Sequence, residues 1–346
     1  MADPTAVERP HRRVTLRDVA RVAGVSEPTA SRSLRGDPQI SARTRTVVER
    51  VADQLGYLPN ATARNLATRS SQTLGLMVPD VTDPVHGQIV AGFEQEASRH
   101  GYVLLVSNFR YDAAIESRGL RTLLSNQAQG VAVFGGVLDP PLVRSITRGA
   151  YVVFVGPENL SGLDGFETAS TITADDAAGI TDAVEMAVGL GYRRFGYLNG
   201  PTVASSVRRR NAARLALERH GLERLRVYEY EDLPIETVCS RMVQDERDLI
   251  LCFDDQRALR LLSALRESGV RVPAQVGVIG FDDIPFAAIS NPPLSTVSVP
   301  YEEMGRLACR MLLEQTTSGV PQPTVAVDVR VVLRGTTTPV EAPAHA

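Results

Sequence analysis

The chain has 346 residues, 43% of them hydrophobic and 22% charged, and a net charge of −3. That length is ample for two or three globular units, each with a core of its own. All 37 of its basic residues are arginine, which excludes a Walker lysine, a Schiff-base lysine and a Ser-x-x-Lys nucleophile.

Charge is unevenly placed along the chain. Residues 1–70 hold 12 Arg against 7 Asp and Glu, and the remainder holds 25 against 33. A basic head on an acidic body points to a polyanion partner for the head alone. Within the head, Thr15-Leu16-Arg17-Asp18 is a capping box that starts a helix at about Leu16. Its apolar positions Leu16, Val19, Ala20 and Ala23 recur at i, i+3, i+4 and i+7, and Gly24 is the stop. Ser26 caps a second helix over 27–34, where Pro28 falls in the first turn and costs no hydrogen bond. A third helix is predicted over 42–55, capped by Ser41, with Val47, Val48, Val51 and Leu55 on one face and Gly56 at its end. Two short helices joined by a glycine turn and backed by a third predict a helix-turn-helix, whose second helix reads the major groove of DNA. Further on, Asn60 can cap a short helix through Ala61, Ala63, Leu66 and Ala67, marginal alone in water but able to fold on DNA.

These residues carry a resemblance. Val14-Thr-Leu-Arg-Asp-Val-Ala-Arg-Val-Ala-Gly-Val-Ser, Thr29, Ser31-Arg32, Ser41-x-x-Thr44-Arg45 and Tyr57-Leu-Pro-Asn60 are similar to the N-terminal domain of the LacI/GalR (lactose-repressor) family of bacterial transcription regulators. The resemblance implies a homodimer that reads a pseudo-palindromic double-stranded DNA operator, one head in each major groove. By that match Thr15, Ser26, Thr29, Ser41, Thr44 and Tyr57 touch phosphates or orient the helix, and Ser31 is also counted among the DNA-binding residues. Glu27, Pro28 and Arg32 fall on the base-reading face, and Arg32 can give guanine a bidentate contact. The resemblance also implies that the hinge helix, with Asn60 and Ala63, pairs with its dimer mate in the minor groove, where Leu66 wedges into the central base step and kinks the duplex. Glu27-Pro28 departs from the polar pairs common at that place, so no operator sequence is assigned.

From Thr73 onward short apolar runs alternate with amphipathic stretches. Strands are predicted over 74–78, 103–107, 131–134, 152–155, 195–198, 226–230, 249–253 and 276–281, and helices over 88–100, 113–125, 177–190, 211–220 and 256–268. Such alternation builds parallel sheets covered on both faces, and its restart near Thr171 predicts two α/β lobes with a cleft between them. Ligands of parallel sheets sit beyond the carboxyl ends of the strands. There the chain places Asp80, Asp83, Asp254, Asp255, Asp282 and Asp283, with arginines at 208–210. That set suits a polyhydroxylated ligand, since Asp accepts hydroxyls and Arg donates back. Asp254 and Asp282 could equally be helix caps.

The body is similar to the family's core, itself like periplasmic sugar-binding proteins, through Gly75-Leu-Met-Val-Pro-Asp, Asp83-Pro84, Asp175-Asp-Ala-Ala-Gly179, Gly191-Tyr-Arg-Arg, Gly200-Pro201, Val278-Ile-Gly-Phe-Asp-Asp283, Pro293-Leu-Ser-Thr-Val and Glu303-Met-Gly305. The resemblance implies an α plus α/β protein: a helix-turn-helix head over 1–57, a hinge over 58–71 and a two-lobed core over 72–346. The first lobe takes about 72–173 plus 299–322, the second about 174–298 plus 323–337. It makes Arg210 the effector-gripping arginine and Asp282 the acceptor of a ligand hydroxyl, and Tyr301 matches a pocket-lining position but could as easily be core; Asp83, Phe134 and Asp254 are further candidates at the effector. Departures point to an unusual effector: Ala213-Arg214 replaces a Gly-aromatic pair, Asp254 stands where Asn is common, and Val85-His86 replaces an aromatic pair. His86 could read a phosphate or an acid, or be a plain surface residue. Without Trp, stacking on a sugar falls to Phe and Tyr.

The chain contains no His-Glu-x-x-His, Gly-x-Ser-x-Gly or Gly-x-Gly-x-x-Gly, and no acid and base pair argues for an enzyme. Cys239, Cys252 and Cys309 lie in apolar patterns and are expected as buried small hydrophobes; no metal and no cofactor is expected. No apolar stretch spans a bilayer and no h-region opens the chain, so a cytoplasmic address, on nucleoid DNA, is expected. The Thr/Pro/Ala tail after Arg334 has no leucine heptad, which favours a dimer. The function expected is a repressor whose operator affinity is set by a small polar effector, a sugar or similar. The alternative is a DNA-bound regulator switched by a protein partner, its cleft vestigial.

Overall fold

The computed structural model describes residues 14–57, 71–156, 166, 169–230 and 234–340, and the chain divides into two units, 1–71 and 72–346. In the first unit, α1 (Leu16–Ala23), α2 (Glu27–Leu34) and α3 (Ala42–Leu55) form where their caps dictate. Asp18 N donates to Thr15 Oγ1 and Thr15 N to the Asp18 carboxylate, closing the capping box. Gly24 and Gly56 end α1 and α3 at φ of 68° and 64°, left-handed turns that other residues resist. The core is Val19, Ala20, Ala30, Val48, Val51 and Ala52. Val47, expected on that face, is 36% exposed. It lies one residue, about 100° of rotation, from the stripe that Val48, Val51, Ala52 and Leu55 follow.

The body is two parallel sheets. The first holds β1 (Thr73–Val78), β2 (Val103–Asn108), β3 (Gly130–Phe134), β4 (Tyr151–Val155), β5 (Ala169–Ala174) and β11 (Val325–Val327), in the order β11-β5-β4-β3-β1-β2. Helices α4 (Pro84–Arg99), α5 (Ala113–Ser125), α6 (Pro140–Thr147) and α12 (Tyr301–Ser318) belong to this lobe. The second sheet holds β6 (Phe195–Leu198), β7 (Arg226–Tyr228), β8 (Leu249–Cys252), β9 (Gly277–Asp282), β10 (Ser295–Ser298) and β12 (Arg330–Val332), in the order β12-β10-β9-β8-β6-β7, antiparallel only between β10 and β12. Around it lie α7 (Asp176–Gly189), α8 (Ala204–Arg219), α9 (Ile235–Gln244), α10 (Asp255–Glu267) and the single turn α11 (Pro285–Ile289). Strands β3 and β9 are buried along their whole length, as central parallel strands with helices on both faces must be.

Three crossings join the lobes, after β5, after β10 and after β11. The third comes later than the expected 322, because Val325–Val327 still pairs with Ile172, Thr173 and Ala174 of the first sheet. Helices α4 and α12 pack closely at two glycines. A Cβ on Gly92 would lie 1.9 Å from the Glu302 carbonyl oxygen, and one on Gly305 2.2 Å from that of Ile89. Any side chain there would push the helices apart.

Candidate functional site

On the head, Glu27 and Pro28 are exposed, and Thr29, Ser31 and Arg32 are half-buried on the same helix. Thr29 N donates to Ser26 Oγ at 3.3 Å and Thr44 N to Ser41 Oγ at 3.2 Å, so the two serines hold the starts of α2 and α3. The paired hydroxyls of Ser26 with Thr29, and of Ser41 with Thr44, lie 2.8 and 2.9 Å apart. Arg32 is engaged by its own head: Nε donates to Asp37 at 2.8 Å and Nη2 to Gln39. That contact holds the Asp37 carboxyl below the usual carboxylate range. A guanine contact from Arg32 therefore exchanges an internal ion pair for an external one. Tyr57 packs on the head core. Asn60, Ala63 and Leu66 lie outside the described residues.

In the body, a cavity of about 700 Å³ opens between the lobes, beyond the carboxyl ends of β1, β3, β8 and β9. That volume suits a small molecule. Its wall includes Asp83, His86, Phe134, Asp254, Asp282 and Tyr301, but Arg209 in place of the expected Arg210. The reason is helical phase. The buried face of α8 runs through Ser205, Arg209, Ala212, Ala213 and Ala216, a spacing of three and four, and Arg210 lies one residue off it. The alanine stripe was the sequence signal that could have chosen Arg209. Ala213 is fully buried on that face, while Arg214 pairs with Glu218, so the Ala213-Arg214 departure supplies nothing to the cavity wall.

Arg209 is 6% exposed. Its Nη1 donates to the Phe253 carbonyl at 2.8 Å, its Nε lies 3.4 Å from Asp176, and Nη2 lies 3.8 Å from Asp282. Burial works against its charge, but Asp176 and Asp282 more than offset that and hold the guanidinium protonated. Burial pushes the Asp282 carboxyl well above its ordinary range, with Arg209 opposing, and Tyr301 donates its hydroxyl to Asp282 at 2.7 Å. Asp282 sits at φ 110°, a strained backbone for a non-glycine residue that persists only where its surroundings enforce it. It caps no helix, since α11 starts without a side-chain cap. Asp254 does cap α10, accepting the Arg257 amide at 2.7 Å, and pairs with the Arg257 side chain.

His86 is 4% exposed. Its Nδ1 lies 2.6 Å from the Asp80 carbonyl oxygen and 3.3 Å from the Asp80 amide nitrogen, so the backbone at residue 80 fixes the orientation of the ring. The ring meets Phe134 edge-on, centroids 5.1 Å apart. Asp83 caps α4 through the Val85 amide at 2.8 Å and also accepts from Gln256 Nε2 at 2.9 Å. This hydrogen bond spans the cleft from one lobe to the other.

The other strand-end acids have different work. Asp80 turns its own loop through Thr82, and Asp283 accepts from Arg334 at 2.7 Å. Asp255 is sealed in the second lobe, accepting the Ile284 amide at 2.9 Å and the Thr296 hydroxyl at 2.5 Å, and burial pushes its carboxyl up to about 7. Sequence reasoning missed Tyr230, Phe253, Gln256, Arg257 and Arg260 on the wall, because their convergence depends on strand ends meeting α10. Among the described residues no His, Cys, Asp or Glu cluster is placed to hold a metal ion, and no helix is long and apolar enough to cross a membrane.

Comparison with known proteins places both parts. The profile of "Bacterial regulatory proteins, lacI family" matches residues 15–60, and that of "Periplasmic binding protein-like domain" matches 184–337. The HTH-type transcriptional repressor CytR of Escherichia coli K12 is 30% identical over 332 residues, covering 93% of this chain and 96% of its own. The HTH-type transcriptional regulator CelR of Thermobifida fusca is 31% identical over 335 residues, covering 93% and 96%. The crystal structure of the Lac repressor dimer bound to operator and the anti-inducer ONPF superposes with a TM-score of 0.81 at 26% identity, covering 94% of this chain and all of that one. A CelR–cellobiose complex superposes with a TM-score of 0.66 at 28% identity, again covering 94% and 100%.

Proposed function

The chain belongs to the LacI family of bacterial regulatory proteins, and from that premise we propose a repressor that binds operator DNA as a homodimer and is switched by a small polar effector held between its lobes. The observation that carries the reading is the union, in one chain, of a capped helix-turn-helix head and a two-lobed clamp, matched over 93% of its length by a repressor. Thr15, Ser26, Thr29, Ser31, Ser41, Thr44 and Tyr57 fix the head on phosphates, and Glu27, Pro28 and Arg32 read base edges. Asn60, Ala63 and Leu66 act in the minor groove. The protein works in the cytoplasm, on nucleoid DNA, and it performs no chemistry on its ligand.

The effector enters the cleft, and the relative CelR, which this chain resembles in fold, forms a complex with cellobiose. Asp83 and Asp282 accept ligand hydroxyls, His86 hydrogen-bonds the ligand through its ring, Phe134 and Tyr301 supply ring faces, and Arg209 takes the role the resemblance gave Arg210. Only a ligand with different affinity for two lobe arrangements can change operator affinity. Three crossing segments and the Asp83–Gln256 hydrogen bond are what such a change must bend or break. The charged wall, held by buried partners, argues against a vestigial cleft.

Selection of purified protein on random duplex DNA tests the reading. The expected product is an inverted repeat whose affinity falls steeply with salt, as release of counterions from phosphates requires, and which Leu66→Ala binds more weakly. A flat salt response, or enrichment of no common sequence, would remove the proposal.

A further inference from the structure

One wall of the cleft is a ladder of alternating rings and guanidinium groups. The Arg209 guanidinium lies 3.5 Å from the Phe281 ring centroid and 4.8 Å from that of Phe253, and Arg257 lies 5.5 Å from Phe253 on the way to Tyr230, 5.7 Å away. Arg260 completes it, donating from Nη1 to the Tyr230 hydroxyl at 2.9 Å. Except for Phe281, every member lines the cavity. The rings fix the guanidinium planes at little entropic cost and leave their edges, where the N–H groups are, to point elsewhere.

Among the described residues, carboxylates pair with the guanidinium groups at one end of this ladder and not at the other. Arg209 is matched by Asp176 and Asp282, and Arg257 by Asp254. Among the described residues Arg260 has no carboxylate at ion-pair distance, and its hydrogen bond goes to the Tyr230 hydroxyl. A neutral polyol would find its hydroxyl acceptors at Asp282 and Asp83 and could take a hydrogen bond from Arg260, but it would leave that charge unmatched. An anion would match it: guanidinium N–H groups bind carboxylate and phosphate oxygens in charge-assisted pairs.

We propose that the cleft holds an anionic subsite at Arg260, and that the effector is an acidic or phosphorylated sugar whose hydroxyls face Asp282 and whose charged group lies against Arg260 and Tyr230. The proposal rests on the effector-in-cleft reading above. It assigns the two chemical ends of one ligand to the two ends of one wall.

Calorimetric titration of the full chain with matched probes tests it: galactose, galacturonate and galactose 6-phosphate, ribose and ribose 5-phosphate, and nucleosides with their monophosphates. A charged member should bind more tightly than its neutral partner. Arg260→Gln should weaken it roughly 10- to 100-fold, the range of one charge-assisted hydrogen bond, and erase the preference. The uronate and phosphate arms tell carboxylate from phosphate. Neutral probes binding as tightly as charged ones, with Asp282→Asn weakening both, would leave the cleft reading standing and overturn the subsite. Charged probes indifferent to both substitutions, or a panel in which nothing binds, would overturn both.

Discussion

The two walls of the cleft are built on different principles. The first lobe contributes rings and aliphatic groups: His86 against Phe134, and Phe134 against Tyr301 at 6.1 Å and 89°, with Val85 and Val137 beside them and Asp83 as the charged residue. The second lobe contributes Arg209, Arg257, Arg260, Asp254 and Asp282. An apolar wall selects by shape and discriminates weakly between isosteres, whereas a charged wall rejects any ligand that leaves its groups unpaired. On the effector-in-cleft proposal, specificity resides mainly in the second lobe, and the first sets size.

The largest test of that contrast is Arg209→Ala. It strands Asp176 and Asp282 as buried carboxylates, so denaturant unfolding should show a loss of about 3–5 kcal/mol, the cost of breaking a buried ion pair. A loss below about 1 kcal/mol, the scale of an exposed pair, would mean that the second wall is not held by charge. Next comes pH. Asp255 titrates near 7 in the folded protein and near 3.9 unfolded, so the native state binds its proton more tightly. Its contribution is complete at low pH and is lost as pH rises through about 7, by up to about 4 kcal/mol. Asp255→Asn should flatten the stability profile between pH 4 and 8 relative to the parent, and parallel profiles would contradict the burial argument. Gln256→Ala removes the hydrogen bond from wall to wall. Thermal melts should fall by about 1 kcal/mol, and small-angle scattering should report a wider separation of the lobes; an unchanged separation would show that this bond holds nothing closed. The smallest effect belongs to Arg214→Ala, a surface change expected within about 0.5 kcal/mol and without influence on effector affinity. Any loss of binding would return Ala213-Arg214 to the site.

Much of this was legible beforehand, for identifiable reasons. Head helices begin and end where Thr15, Ser26, Ser41, Gly24 and Gly56 say, because caps are local chemistry. Strands of the sheet interiors were legible as continuous apolar runs such as 249–252. Strands β11 and β12 were not: each is three residues long and part-exposed, so their pairing is fixed by what lies beside them in space. At Arg209 the error was one residue, yet on a helix one residue exchanges buried for solvent-facing. The ladder from Phe281 to Arg260 was illegible altogether, since its rungs come from separate strand ends and a helix.

The order in which the chain visits its lobes has a consequence for synthesis. Strands β1 to β5 leave the ribosome first, but α12, which packs on α4 and on β3 and β4, and β11, which completes the sheet, come only after β6 to β10 of the second lobe. Translation proceeds at roughly 5–20 residues per second, so apolar groups of the nascent first lobe wait on the order of ten seconds for their cover. Most of the second lobe, β6 to β10, is thus made between two parts of the first and takes shape beside an unfinished neighbour.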